Sequence, residues 1–361
     1  MKSLLQVLLM ALIGAGALYL TFKGVDLEAF LEAFGQIDRP TFALGLICFF
    51  AVHLGRSIRW GLLVQATEPR VRFRSYFSIC SVGFFFINVL PFRLGEFVRP
   101  HLLYEREDVP FGSGMATVVV ERVLDIAALG VIFLGAVAFA DLPQGPVSIT
   151  FNEKTSEYDV VSAGRAAILG VGLPTTLGLF LLLFVGDPAV ALLRRLASLF
   201  GPRVESLVVG TMESFVAALH ALGSVRRAAP ILAWTILTWA VNVLSILVMA
   251  KSLPFGEGLG FWDGGAILSV ICIVLIVPAP PLFAGVFEFA VFVGVLLVVR
   301  DGGQLLADQA RAFAVLVHGS QFALLSTLGV LFLMLDRISV SRLLSVTRSF
   351  SQGDSADNPQ P

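Results

Sequence analysis

Long apolar runs recur along the chain, and their lengths match a lipid bilayer; this feature constrains the fold more than any other. A hydrocarbon core of ~30 Å is crossed by about 20 apolar residues in a helix. Runs of that length occupy Leu4 to Phe22, Pro40 to Val64, Gly112 to Ala140, Ala163 to Val185, Ala228 to Ala250 and Ala312 to Leu335. The expected fold class is therefore all-α, a polytopic transmembrane helix bundle. Composition agrees, because 57% of the 361 residues are hydrophobic and 14% charged, against about 45–50% and about 25% in soluble domains. That balance excludes a soluble enzyme, a disordered chain and a nucleic-acid binder with a basic face.

Three apolar stretches do not fit a plain crossing. Ser75 to Leu90 is 16 residues long, about 24 Å as a helix. It runs into PFRLGEFVRP, which is polar and breaks helices at both ends, so a re-entrant hairpin is expected. Gly264 to Val277 is broken by Pro278-Ala-Pro-Pro281 before Leu282 to Val299 resumes. Two broken or re-entrant elements at corresponding places in two halves point to a transporter-like site. The local sequences also rhyme, Pro91-Phe-Arg-Leu-Gly95-Glu96-Phe97 against Pro281-Leu-Phe-Ala-Gly285-Val-Phe-Glu288-Phe289, which makes the halves candidates for an inverted repeat. Between them, Val147, Ile149 and Phe151 alternate as in a small hairpin. Val204, Leu207, Val208, Met212, Phe215, Val216 and Leu219 fall at the spacing of an amphipathic surface helix. Residues 1–336 are read as the membrane domain and 337–361 as a polar, disordered tail.

Charge position sets the orientation. With the amino terminus cytoplasmic and both broken elements returning to the side they entered from, the outer side keeps Lys23, Arg39, Lys154, Arg165, Lys251, Arg300 and Arg311. The other 18 of 25 basic residues lie inside, as the positive-inside rule requires. Both termini are expected in the cytoplasm.

Ionisable groups inside spans cost about 2.5–3.5 kcal/mol each on insertion scales and need a partner, water or a task. Arg56 and Arg59 share a face of the second span. Arg59 lies about five residues from its inner end and Arg56 about eight, roughly 12 Å deep. A guanidinium is a planar fork suited to phosphate. Glu121, Arg122 and Asp125 lie on one helix at spacings that let them interact, and the two carboxylates can brace the arginines of neighbouring elements. Arg93, Glu96 and Arg99 follow the break at Pro91, and Gly95 permits close backbone approach. Glu288 follows the second break, with no basic residue nearby. No metal-binding or nucleotide-binding pattern is present, and no cofactor is expected. Cys48, Cys80 and Cys272 are isolated. His53, His101, His220 and His318 are scattered, and His318 with Ser320 reads as helix packing.

GRSIRWGLL, GFFFINVLPFRLGEFVRP and TVVVERVLDI, in that order, resemble the lysylphosphatidylglycerol synthase transmembrane-region family of flippase-like membrane proteins. The matching positions are Arg56, Arg59 and Trp60; Asn88, Pro91, Gly95, Glu96 and Arg99; and Glu121, Arg122 and Asp125. PLFAGVFEFA resembles the family's later Pro-rich segment through Pro281, Gly285 and Glu288, with APPLFAG in place of the usual glycine-rich run. The resemblance implies lipid handling without the soluble synthase domain, for which the 26 residues after Leu335 leave no room. The expectation is a non-enzymatic lipid translocase of the bacterial inner membrane. An anionic phospholipid or polyprenyl-phosphate-type headgroup would meet Arg56, Arg59, Arg93 and Arg99 in a polar cavity. Glu96, Glu121 and Asp125 would orient them and the broken elements would gate. The alternatives are a membrane-embedded lipid-modifying enzyme and a non-transporting partner of a lipid or polysaccharide synthesis complex.

Overall fold

The computed structural model describes residues 2–90, 94–140, 142, 147–151, 154–158, 225–275, 280–299 and 303–343, with isolated positions between 162 and 201. The expected span at 163–185, most of the surface segment at 187–227, and Pro91, Arg93 and 344–361 lie outside the described residues.

The described chain is a helical bundle with one small hairpin. In order come α1 (Lys2–Phe22), α2 (Leu27–Gly35), α3 (Arg39–Thr67), α4 (Phe73–Val89), α5 (Gly95–Glu107), α6 (Phe111–Phe139), β1 (Val147–Phe151), β2 (Lys154–Tyr158), α7 (Val225–Lys251), α8 (Phe261–Val274), α9 (Val286–Val298) and α10 (Gly303–Leu335). The alternating segment does form an antiparallel pair, with Val147 opposite Tyr158 and Phe151 opposite Lys154.

Local chemistry sets several boundaries. Asp38 caps α3 by accepting from the Thr41 amide at 3.0 Å, with Pro40 in the first turn, as helix starts prefer. Helix α3 runs on to Thr67, three residues past the expected end at Val64. Asp108 closes α5 in the left-handed region at φ 53°, a conformation Asp tolerates.

The helices α3, α6, α7 and α10 run the length of the bundle. Its first end gathers Thr67, Phe73, Glu107, Phe111 and Leu335. There Asp336 accepts from Arg74 at 3.2 Å and Arg106 at 2.8 Å, and from Ser78. At the second end the Asp38 amide donates to Ser252 O at 2.9 Å and Gln309 donates to Gln36 at 3.2 Å. The most extensive helix contact is α3 with α7. It is tight because Gly45 faces Met249 and Gly55 faces Thr238, small residues of the kind that let membrane helices approach.

Helices α4 and α5 form a hairpin that returns to the end it leaves. A Cβ on Gly95 would stand 2.1 Å from Ile87 N, and one on Gly83 2.3 Å from Arg99 Cγ. Towards the mouth, Arg106 donates to Ser78 at 3.2 Å and Ser75 to Glu107. Antiparallel register holds throughout. Helices α8 and α9 form a second hairpin, with Gly294 packed on Ile267, entering from the second end. Residues Pro281–Val298 are together long and apolar enough to span. Its helix, however, has only 13 residues, about 20 Å, and forms the hairpin's returning arm. Each half thus runs long helix, hairpin, long helix, in opposite directions, which is the inverted arrangement expected of the two broken elements.

The expected tail begins later than position 337. The Ile338 amide donates to Leu333 O at 3.0 Å, and Leu343 is buried in the apolar cluster around α4 and α5.

Candidate functional site

The first hairpin brings the charged motifs of α3, α5 and α6 to one level inside the bundle. Arg59 lies eight residues from the end of α3 and Arg99 eight from the end of α5, each about 12 Å deep; Glu121 is ten residues into α6, about 15 Å. Glu121 bridges the two arginines. Its Oε1 accepts from Arg59 at 2.9 Å and its Oε2 from Arg99 at 2.7 Å. Asp125 Oδ1 accepts from Arg59 at 2.6 Å and from Trp239 Nε1 of α7 at 2.9 Å. Arg122 reaches Asp125 at 3.2 Å and Glu121 at 3.5 Å.

Aromatic and hydroxyl groups pack around these charges. The Arg99 guanidinium lies 5.3 Å from the Trp60 ring and 5.2 Å from Phe84. Trp60 donates to Thr117 at 3.0 Å. His53 Nε2 and Ser81 Oγ share a hydrogen bond of 2.9 Å.

The arrangement divides the residues picked out by the sequence into two groups. Arg59, Arg99 and Glu121 have side chains at most 1% exposed, so they form a buried ionic core. They fix three elements together, since a buried charge must be paired. Arg56, Glu96, Arg122 and Asp125 are only part-buried. The guanidinium of Arg56 lies 5.6 Å from the Phe84 ring and makes no ion pair or hydrogen bond among the described residues. It sits within the fields of Asp125, Arg122 and Arg59, and of Cys272 at the end of α8. Four arginines therefore face three carboxylates, counting Glu96, whose charge acts on both Arg99 and Arg122. Among the described residues one positive charge is left over, and Arg56 is the arginine of this cluster without an acidic partner. Among the described residues, Arg99 Nε and Nη2 and His53 Nδ1 are buried without a hydrogen-bond partner.

Asn88 bonds its own helix, donating to Phe84 O at 2.9 Å, and does not join the cluster. The second hairpin brings its tip to the same region. Its turn at Pro281–Phe283 packs on α4. Gly285, at φ +84°, has room for no side chain, since a Cβ would meet Gly14 O of α1 at 2.1 Å. Glu288 does not reach the arginines. It accepts from the Gly285 amide at 2.7 Å and pairs with His318 Nδ1 of α10 at 2.7 Å.

At the hairpin's mouth on the first end, a groove is lined by Arg70, Arg72, Arg74, Ser75, Arg106, Glu107 and Asp108. Burial pushes the Asp336 carboxyl up, but bonds from Ser78 and Arg106 and the charges of Arg106 and Arg74 outweigh it. The net pKa lies below the ordinary carboxylate value.

Sequence reading missed Trp239, Thr117, His53, Asp336 and His318. Trp60 is picked out by sequence together with Arg56 and Arg59. The others come from distant segments that carry no local signal. Arg311 and Asp308 were missed as a buried pair. They meet at 2.5 Å while Arg311 Nε donates to Thr21 O at 2.6 Å, tying α10 to the end of α1.

Residues 6–329 match the family model described as the lysylphosphatidylglycerol synthase TM region. The chain belongs to this family. Family membership thus covers both hairpins and the whole charged cluster. Among similar proteins, glycosyltransferase AglD of Haloferax volcanii is 28% identical over 344 residues, 86% of this chain and 52% of that protein. UPF0104 membrane protein MJ1595 of Methanocaldococcus jannaschii is 34% identical over 105 residues, 28% of this chain and 31% of that protein. The chain spans about half or less of the length of these relatives. No solved structure matches.

Proposed function

We propose that the chain is a non-enzymatic lipid translocase whose substrate carries an anionic phosphate headgroup, a phospholipid or a polyprenyl-phosphate-type lipid. One observation carries this reading. Among the described residues, four arginines share mid-bundle depth with three carboxylates, and Arg56 has no acidic partner. A phosphate would neutralise that charge, with Arg56 and the part-exposed Arg122 as its contacts. Arg59 and Arg99 act beneath them as braces, held by Glu121 and Asp125, which is narrower than the four-arginine clamp expected from sequence. Arg93 keeps its proposed headgroup role. The two hairpin tips are the gate, and acyl tails remain in lipid. Under the positive-inside rule the basic residues of the first end, Arg70, Arg72, Arg74 and Arg106 among them, support a cytoplasmic orientation for it, in what we take to be a bacterial inner membrane.

The test is leaflet exchange in liposomes, with a fluorescent anionic phospholipid and a short polyprenyl phosphate in separate arms. Arg56→Gln should lower exchange of the accepted lipid at least ~10-fold, the effect of losing about 1.4 kcal/mol, with the fold intact. Exchange unchanged in both arms would refute the assignment. A second reading is favoured by the Haloferax relative, which is named as a glycosyltransferase and is about twice as long as the matched region. Here the domain holds a lipid-linked substrate for another domain or partner, and selective lipid retention without exchange would select it.

A further inference from the structure

We propose that Glu288 and His318 form a proton-binding site that latches the tip of the second hairpin to α10 and frees the tip when the proton leaves. The inference rests on the hairpins being the gate. The two halves have inverted layouts. In each, among the described residues, an ionic contact bolts the returning arm of a hairpin to the following long helix, buried in the first half and part-buried in the second. In the first half this is Arg99 of α5 on Glu121 of α6, at 2.7 Å. In the second it is Glu288 of α9 on His318 of α10, also at 2.7 Å. A guanidinium does not release its proton in proteins, so the first bolt is fixed. An imidazole, unlike a guanidinium, can give up its proton, so the second bolt is releasable.

The surroundings give the proton mechanical consequence. With one titrating proton between them the pair is neutral. Once it leaves, Glu288 is a carboxylate, 12% exposed, that keeps the Gly285 amide as donor but faces an uncharged ring. The Phe287 ring stacks on His318 at 4.5 Å, and Ala290 and Val291 are fully buried beside it. A net charge in such a place favours water. Among the described residues no other charged side chain is bonded to the pair; α3, also packed on α10, brings Arg56 and Arg59, the latter held by Glu121 and Asp125. On α10, Arg311 and Asp308 are two and three turns away and paired with each other. The described part of α1 brings Tyr19 and Lys23 at its far end. Helix α8 brings Asp263 at its far end and Cys272. Helix α4 brings Tyr76, Cys80 and Arg74, the last held by Asp336. The tip is also under strain. Leu282 and Phe283 have φ of 63° and 53°, outliers for bulky residues that persist only while packing holds them. Leu282 is 38% exposed.

The test reads the tip directly and needs no lipid transport. Leu282→Cys is made in a chain whose Cys48, Cys80 and Cys272 are replaced by Ala, and is labelled in liposomes with a water-soluble maleimide. Labelling rates are divided by those of a free thiol at the same pH. The corrected rate should rise at least ~5-fold from about pH 5.5 to about pH 8.5. In Glu288→Gln and His318→Gln backgrounds it should be flat. A flat profile in the parent, or an equal rise in both variants, would overturn the proposal. Should the cysteine variant fail to fold, hydrogen exchange of residues 280–290 in the unmodified chain, corrected for intrinsic rate, reads the same opening. Protection independent of pH would overturn it equally. A pH-sensitive tip without leaflet exchange would refute the transport reading alone.

Discussion

Replacing Glu121 by Gln removes one charge and nothing else of substance, so its effect measures what the buried cluster contributes. Both oxygens are engaged, Oε1 by Arg59 at 2.9 Å and Oε2 by Arg99 at 2.7 Å, with all three side chains at most 1% exposed. A Gln can offer its oxygen to only one guanidinium and must turn its NH2 towards the other, donor against donor. Arg59 retains Asp125 at 2.6 Å, whereas Glu121 is the only carboxylate bonded to Arg99 among the described residues. The variant therefore buries Arg99 with no carboxylate bonded to it, leaving only the unbonded charge of Glu96 in its field. Breaking one side of a buried pair costs about 3–5 kcal/mol. Unfolding of the detergent-solubilised protein, followed by tryptophan fluorescence, should register that loss. Trp60, against Arg99, and Trp239, on Asp125, report locally. The cost should barely change with salt, because the pair is out of reach of mobile ions. Adding Arg99→Met should recover at least about 2 kcal/mol, since contacting residues couple by up to about 3 kcal/mol. A Glu121→Gln variant within about 0.5 kcal/mol of the parent, or strict additivity in the double variant, would refute the reasoning.

Three further outcomes follow from other places in the fold. The depressed carboxyl of Asp336 contributes stability that is fully present above the ordinary value of about 3.9 and is lost as pH falls through its lower folded value. The amount is about 1–2 kcal/mol, held down by the exposure of Arg74, and Asp336→Asn should abolish that acid limb in pH-dependent melting. Gly95→Ala puts a Cβ 2.1 Å from the Ile87 backbone. The helices must part, and thermal unfolding should show a loss of at least about 2–3 kcal/mol, whereas Gly16→Ala, with open space around it, should be neutral. Arg311→Met leaves Asp308 buried without its cation and unties the end of α1. It should cost about 3–5 kcal/mol and speed proteolysis between Lys23 and Asp26, and adding Asp308→Leu should recover part of the stability but leave α1 untied.

Much of the architecture was legible because the bilayer enforces helix length and Pro punctuates it. The 16-residue run before Pro91 and the break at Pro278 to Pro281 were enough to mark two hairpins, and opposite charge counts at the two ends gave their opposed entry. The arginines and carboxylates of the site were visible too, as charges in apolar runs. Their partners were not. Arg59 meets Glu121 across 62 positions and Ser78 meets Asp336 across 258; no periodicity encodes such distances. The same limit hid His318, whose role depends on a helix hairpin placing Glu288 beside it. Depth was misjudged as well. Gln65 donates to Val71 O at 2.9 Å, and α3 continues to Thr67, setting Arg56 and Arg59 about one turn deeper than the apolar run implied.

The central claim is that the spare positive charge at Arg56 receives a lipid phosphate. Native mass spectrometry of the purified protein, as parent and as Arg56→Gln, with Lys251→Gln as a control far from the cluster, tests it most directly. The account predicts a phosphate-bearing lipid held selectively by the parent and the control and lost from Arg56→Gln. Equal retention by all three, or lipid bound without regard to headgroup, would contradict it.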